Sequence, residues 1–339
     1  MNLKIVLETK KVLRKALFYG RWSPGMKSAM RNAYKSLSLN YHCVKNGLKM
    51  ESGDGWTSFA RGRKKIIIEG NFEALHAAKF FDRFFSAPAL SENKDLLDMR
   101  KPVKLDGFLI KTTCGMILEG IVIDDYNRHY QLKEGDVVFD CGSFHGVYAL
   151  YASRKVGKTG MVFAFEPDEK NLAVLCENLE RNNAANVRIV KKGVWNSQGR
   201  LSFIEGNDAT SSVVFSNDVP KGAVSIEVTS IPDFFASQKL SRLDFVKMDI
   251  EGAEIEVIGG CVDFLKKHDV NFAAASYHLR DGQETYHALE PMFRSAGYEC
   301  VTEITGTITT YAWANFRKNL PEVGNPAGFT TKRPGGKGK

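Results

Sequence analysis

The sequence lacks an apolar run of the roughly 18 residues needed to cross a bilayer, and its six cysteines form no C-x-x-C pair. The first absence argues against a membrane-spanning helix, and the second leaves no indication of a disulfide framework or structural zinc site. The N-terminus also lacks the apolar core and cleavage site of a secretory signal, so we expect a cytoplasmic protein. Hydrophobic residues make up 43% of the chain and charged residues 25%, which favours a globular protein with a sizeable core.

Basic charge is concentrated at the two ends of the chain. Residues 1–50 contain eleven Lys or Arg and a single acid, Glu8, and residues 331–339 contain four basic residues and no acid. Although the net charge is +8, the body between the ends is therefore mildly acidic. An acidic body disfavours a nucleic-acid partner. The basic N-terminal arm could make the protein peripheral to an anionic membrane surface, or it could pack on the body as an ordinary helix.

The chain divides into three predicted regions. Residues 1–100 show helical more than strand patterning, which predicts a mainly helical accessory region. The main domain, residues 101–316, begins with the runs FLIKTT and MILEGIVI, which predict a β-hairpin. Apolar strand-like runs then alternate with helical segments, as in a doubly wound, Rossmann-like α/β fold with a mostly parallel sheet covered on both faces. Residues 317–339, rich in Pro, Gly and Lys, are predicted to be a disordered basic tail.

The first motif is a buried strand that runs into a tight turn and a helix, GDVVFDCGSFHG at residues 135–146. Gly142 and Gly146 are its informative residues, because glycine lets the backbone approach a ligand and the helix start presents unpaired N–H groups. An ordinary strand-to-helix turn that needs positive φ explains the same glycines. The spacing is not the G-x-G-x-x-G of dinucleotide-binding enzymes.

The second motif, FAFEPDEKN at residues 163–171, ends its strand in Glu166, 20 residues beyond Gly146. An acid at this strand end can accept hydrogen bonds from both ribose hydroxyls of a nucleoside ligand. The alternative is a surface acid beside the start of the next helix, where Pro167 and Asp168 fit helix-start preferences. The spacing favours the first interpretation, so the sequence predicts a nucleoside cofactor held by Glu166.

The third motif, LDFVKMDIEGAEIEVIGG at residues 243–260, is again a buried strand that ends in acids. The carboxyl ends of central strands line the ligand crevice of a doubly wound sheet, so Asp249 and Glu251 should face the reactive end of the cofactor. There they could orient the acceptor, take its proton or bind a cation. The alternative is that Glu251 and Glu254 only complement the helix dipole.

Together the segments VVFDCGSFHGVYAL, FEPDEKNLAVLCENL and FVKMDIEGAEIEVIGG resemble the FkbM family of S-adenosylmethionine-dependent methyltransferases, over roughly residues 105–316. The run KMDIEGAE is the most specific part. The resemblance implies a seven-stranded sheet with a reversed last strand, and methyl transfer to a hydroxyl of a sugar, lipid headgroup or small metabolite. By position, it implies that Asp140, Gly142, Ser143 and Gly146 hold the methionine part of the cofactor and Glu166 the ribose.

Two further residues are candidates by position. Trp195 follows the third strand of the domain and could pack on the adenine, or it could be an ordinary core residue. His278 lies beyond the fifth strand on the crevice side, where it could be a general base. A lone histidine in such a place can equally have only a structural role. The catalytic candidates are therefore Asp249, Glu251 and His278.

The predicted function is O-methylation of a small-molecule, glycan-linked or lipid-linked hydroxyl, with S-adenosylmethionine as the cofactor. An RNA methyltransferase would share the early motifs and the basic arm, but the acidic body and the absence of an Asn-Pro-Pro-Tyr motif disfavour it. A non-catalytic nucleotide-binding protein of the same fold is a third hypothesis, which the retained glycines and acids disfavour. The oligomeric state is not specified by the sequence.

Overall fold

The computed structural model describes Thr9 and residues 24–70, 73–204, 212–213, 222–304 and 307–314. The predicted disordered tail, and residues 1–8 and 10–23 of the basic arm, lie outside these residues. Within the described part of the chain, no helix combines the length and apolar character needed to cross a membrane.

Secondary structure before residue 130 is mixed. Its elements are α1 (Pro24–Lys45), β1 (Lys49–Gly53), β2 (Trp56–Arg61), β3 (Lys64–Glu69), α2 (Ala74–Lys79), α3 (Phe81–Ser86), β4 (Leu96–Asp98), β5 (Val103–Leu105), β6 (Phe108–Ile110) and α4 (Cys114–Ile121). Strands β1 to β4 form one sheet in chain order. The sequence analysis did not predict this sheet, because it interpreted residues 1–100 as mainly helical. Gly55 and Gly62, both at positive φ, instead join three antiparallel strands.

The predicted leading hairpin is only partly correct. Strands β5 and β6 do form an antiparallel pair, but the run MILEGIVI, predicted as the second strand, lies mostly in helix α4. The helix begins after Thr113, whose hydroxyl accepts a hydrogen bond from the backbone N–H of Met116 at 3.3 Å. This N-cap, together with contacts to α2, overrides the β propensity of the run.

Elements from residue 137 onward alternate between strands and helices. They are β7 (Val137–Cys141), α5 (Val147–Val156), β8 (Met161–Phe165), α6 (Glu169–Arg181), β9 (Val187–Val190), β10 (Gly193–Val194), β11 (Gly199–Ile204), β12 (Ser212–Val213), β13 (Val224–Thr229), α7 (Ile231–Ser237), β14 (Phe245–Met248), α8 (Glu254–Leu265), β15 (Asn271–Ala275), β16 (Leu279–Arg280), β17 (Gln283–Glu284), α9 (Tyr286–Ser295), β18 (Tyr298–Ile304) and β19 (Ile308–Ala314).

The main sheet confirms the predicted doubly wound α/β fold. Its seven strands have the order β18-β19-β15-β14-β7-β8-β9. The last strand in the chain, β19, is antiparallel to both neighbours, and the other pairs are parallel. Alternate residues of β7 face different cores, with Val138 packing on the α5 side and Phe139 on the α8 side. Both faces are thus covered, which explains the nearly continuous hydrophobic strands.

Two additions position the site. The accessory region shares one hydrophobic core with the α5 face of the sheet, which fixes helices α2 and α3 against the main domain. Between β9 and β14, strands β10 to β13 form a second small sheet that the sequence analysis did not predict. Its short strands lie beside the carboxyl ends of the main strands and supply one wall of the cavity described next.

Candidate active site

A cavity of about 830 Å³, counting the part that is open to solvent, lies at the carboxyl ends of β7, β8, β9 and β14. Strand β7 has β8 on one side and β14 on the other, so the strand order reverses direction between β7 and β14. Doubly wound sheets bind ligands at such a switch point, because the loops leaving the two strands diverge and open a crevice. The predicted cofactor region therefore lies at the expected place in the fold.

Of the three small residues predicted to contact the cofactor after β7, only Gly142 lines the cavity. Its φ is 80°, and a Cβ there would overlap the carbonyl oxygen of Asp249, so glycine lets the turns after β7 and β14 approach closely. Gly146 also has positive φ, but a Cβ there would overlap Leu175 of α6, which is a packing requirement. Ser143 is buried and its hydroxyl donates to the carbonyl of Asp140 at 2.9 Å.

Asp140 is fully buried beneath the cavity and does not line it. Its carboxylate lies 3.2 Å from the ammonium of Lys247, which does line the cavity and donates to the carbonyl of Gly142 at 2.9 Å. Burial by itself lowers the pKa of Lys247, but nearby carboxylates, chiefly Asp140 and Asp249, raise it above its usual value. Lys247 is thus a buried cation that the sequence analysis missed. A lysine inside the apolar run FVKM was the available signal.

Glu166 lines the cavity as predicted and is only 5% exposed. Its two carboxylate oxygens accept hydrogen bonds from the backbone N–H groups of Phe144 and Asp168, each at 2.9 Å. Burial raises the pKa of Glu166 to about 7, although these N–H donors act in the opposite direction. The helix cap of α6 is Asp168, which accepts from the N–H of Lys170 at 2.9 Å. The alternative of a surface acid at Glu166 is therefore wrong.

One wall of the cavity is apolar and comes largely from the second sheet. Val194, Phe203 and Ile226 line it. Trp195 does not: it packs against the small core of this sheet, and its backbone N–H donates to the carbonyl of Thr229 at 2.9 Å. The sequence analysis chose Trp195 for its position after the third strand of the domain. Phe203 and Ile226 face the cavity because of strand alternation in GRLSFI and VSIEVT, a signal that had not been used.

The structure brings the three predicted catalytic residues together. Asp249 and Glu251 line the cavity. Nε2 of His278 lies 3.5 Å from Oδ1 of Asp249 and 3.8 Å from Oε1 of Glu251, and its Nδ1 lies 3.1 Å from Oε1 of Glu254. The His278 ring is thus enclosed by carboxylates, and it lines neither this cavity nor the larger one beside it.

The protonation of His278 differs from the expectation drawn from the sequence, in which a neutral histidine is a general base. Burial lowers the pKa of His278, but the nearby carboxylates of Glu251, Glu254 and Asp249 outweigh this effect and raise it to about 10. Burial raises the pKa of Asp249 to about 7, although the Lys247 ammonium acts in the opposite direction. At neutral pH the histidine therefore carries a proton, and Asp249 is the group whose pKa suits proton transfer.

Two features of the turn after β14 bear on whether its acids bind a cation or have a structural role. Fully buried Glu254 accepts hydrogen bonds from the backbone N–H groups of Ile250 and Gly252, at 3.1 and 3.4 Å, so it closes the turn. Asp249, Glu254 and His278 also place one ligand atom each within 4.8 Å of one another, a spacing that could hold a metal ion. The protonated ring of His278 already supplies positive charge beside these two carboxylates.

A second cavity, of about 1750 Å³, adjoins the first. Met116, Glu119, Glu251 and Tyr277 line both. At this junction the hydroxyl of Tyr277 lies 3.4 Å from both carboxylate oxygens of Asp249. Two cavities that meet at a group able to move a proton provide space for two reactants.

Many proteins with a doubly wound α/β sheet bind nucleotide cofactors at the switch point, which is where the cavity of this protein lies. Residues 140–300 match the family described as the methyltransferase FkbM domain. This match covers a little under half of the chain, and it confirms the resemblance drawn from the sequence motifs. The match begins at Asp140 and includes the turns that hold Glu166 and Asp249.

Individual proteins are similar to this chain over different shares of its length. The hexuronic acid methyltransferase AglP of Haloferax volcanii is 30% identical over 152 residues, 44% of this chain and 58% of that protein. The methyltransferase sdnD of Sordaria araneosa is 29% identical over 160 residues, 38% of this chain and 61% of that protein. The chain thus spans about three fifths of the length of these relatives. A methyltransferase structure from Aquifex aeolicus has 18% identity and a TM-score of 0.34, covering 55% of this chain and 85% of its own.

Proposed function

We propose that this protein is an S-adenosylmethionine-dependent methyltransferase that methylates a hydroxyl oxygen on a sugar, a lipid headgroup or another small metabolite. The observation that carries the proposal is a single cavity with Glu166 near one part of its wall and Asp249 near another, at the switch point of the sheet. The family match supports methyl transfer. The relative named as a hexuronic acid methyltransferase supports a sugar-like acceptor.

The cavity fits the proposed cofactor. The buried carboxylate of Glu166 can accept hydrogen bonds from ribose hydroxyls, and the apolar wall of Val194, Phe203 and Ile226 can pack on adenine. Asp249 and Glu251 place negative charge at the junction with the second cavity, where a positive sulfonium group would be stabilised. Asp140, Ser143 and Gly146 would contribute indirectly, by fixing Lys247 and the turn after β7.

Bound S-adenosylmethionine would supply an electrophilic methyl group. The residues of this chain would position the acceptor in line with that group and remove its hydroxyl proton. We assign the proton to Asp249, since its pKa of about 7 and its place beside the junction suit a general base. His278, protonated and enclosed by acids, would act through Asp249 by orienting its carboxylate.

The test pairs a binding measurement with turnover. Calorimetry with S-adenosylhomocysteine should show saturable binding, and release of that product should be measured with a panel of sugar, headgroup and small-molecule hydroxyl acceptors. Asp249→Asn should keep the binding and lose about 100- to 10,000-fold in kcat. Asp263→Asn, which changes an exposed acid paired with Lys266, is the matched control and should retain turnover.

Three results would contradict the proposal. Absence of S-adenosylhomocysteine binding would refute the cofactor assignment. Methylation of single-stranded RNA, with no turnover of the hydroxyl panel, would establish the RNA methyltransferase alternative instead. Full activity of Asp249→Asn would remove this residue from the role of base, while leaving the cofactor assignment in place.

A further inference from the structure

The second cavity has different charges at its two ends. The end that meets the first cavity carries the acids Glu119 and Glu251. The side chains with basic groups that line it are Lys35, His76 and Arg83, from α1, α2 and α3 of the accessory region. This region lies outside residues 140–300, which the family match covers. The basic groups are therefore a feature of this chain beyond its methyltransferase domain.

Two other acids line the second cavity, but both have partners. The carboxylate of Glu73 accepts from the backbone N–H groups of Cys114 and Gly115, at 2.6 and 3.1 Å, at the start of α4. Asp125 forms an ion pair with Arg128 at 2.8 Å. Within the part of the chain that the structure describes, no carboxylate, these two included, forms an ion pair with the guanidinium group of Arg83. Arg83 is exposed and lines the second cavity.

Apolar side chains also line this cavity. They include Leu75, Phe80 and Leu118, and the His76 ring stacks on Phe80 with 12° between the ring planes. A ligand that fits this cavity therefore meets acids and a tyrosine hydroxyl where the two cavities join, and it meets basic groups that line the second cavity alone. An uncharged polyol would offer Arg83 no complementary charge.

We propose that Arg83, assisted by His76 and Lys35, binds an anionic group of the methyl acceptor, a carboxylate or a phosphate, while its reacting hydroxyl lies at the Asp249 end. This inference rests on the proposed function. A guanidinium group suits either anion, because its planar N–H donors form two parallel hydrogen bonds to two oxygens. The substrate class is then an acidic hydroxyl compound, held at both ends, and the accessory region determines its selection.

The experiment compares charged and neutral partners of the same shape in the full chain with S-adenosylhomocysteine bound. The pairs are glucuronate with glucose, and glycerol 3-phosphate with glycerol, and binding is followed by saturation-transfer NMR. In at least one pair the charged compound should bind about tenfold more tightly, and the preferred pair distinguishes a carboxylate from a phosphate. Arg83→Glu should abolish this preference.

Lys101→Glu is the matched control, since it makes the same charge reversal at an exposed residue directly after the accessory region that lines neither cavity. It should keep the preference, and both variants should bind S-adenosylhomocysteine like the parent protein. Equal binding of charged and neutral compounds, no binding of either, or equal effects of the two variants would overturn the inference. Loss of S-adenosylhomocysteine binding by the parent protein would instead refute the proposed function.

Discussion

Replacing Glu166 with glutamine preserves the size of the side chain but removes its charge and one hydrogen-bond acceptor. In the parent structure both oxygens accept backbone N–H groups, those of Phe144 and Asp168, at 2.9 Å. A carboxamide must turn its own N–H donors toward one of these groups. Because the site is buried, this conflict should lower the free energy of unfolding by about 1–3 kcal/mol.

The effect on cofactor affinity is separate. Well above pH 7, where Glu166 is charged, a hydrogen bond between a ribose hydroxyl and its carboxylate contributes about 1.5–3 kcal/mol, and glutamine would lose one such bond. At about 1.4 kcal/mol for each tenfold change, S-adenosylhomocysteine should bind about 10- to 150-fold more weakly to Glu166→Gln. Calorimetry gives the affinity, and urea unfolding gives the stability.

The control is Glu169→Gln, which removes the same charge three residues later at an exposed position in the first turn of α6. It should change neither quantity substantially. If Glu166→Gln lost stability but kept an affinity within about twofold of the parent, the buried carboxylate would have only a structural role, and its assignment to the ribose would be wrong.

Two predictions concern the other buried charges. Lys247→Met leaves Asp140 buried without its counter-charge, so urea unfolding should show a loss of about 3–5 kcal/mol, and a loss below about 1 kcal/mol would contradict the ion pair's importance. The pKa of His278 is raised from 6.5 to about 10, so its stabilising contribution is complete below pH 6.5 and is lost as the pH rises through 10. Melting temperatures from pH 7 to 10 should therefore fall more steeply in the parent than in His278→Gln; equal slopes would refute the raised pKa.

Local sequence patterns predicted much of the main domain. The strand before Gly142 and the helix after Gly146 were predicted, because a largely apolar strand and the glycine turn that follows it are local signals. The three-stranded meander of the accessory region and helix α4 were not predicted. Those segments are short, and tertiary packing decides their structure more than intrinsic propensity does.

The candidate site also has some features that the sequence predicted and others that only the structure shows. Glu166, Asp249 and Glu251 were predicted because each lies at the end of an apolar strand, and the ends of parallel strands meet at one edge of a sheet. The sequence therefore determined the fold class, the family and the acids of the site. Only the tertiary structure showed that Asp140 pairs with Lys247, that carboxylates enclose His278 and that Arg83 faces a second cavity. Those relations join residues far apart in the chain, and burial and charge depend on which distant segments the fold packs together.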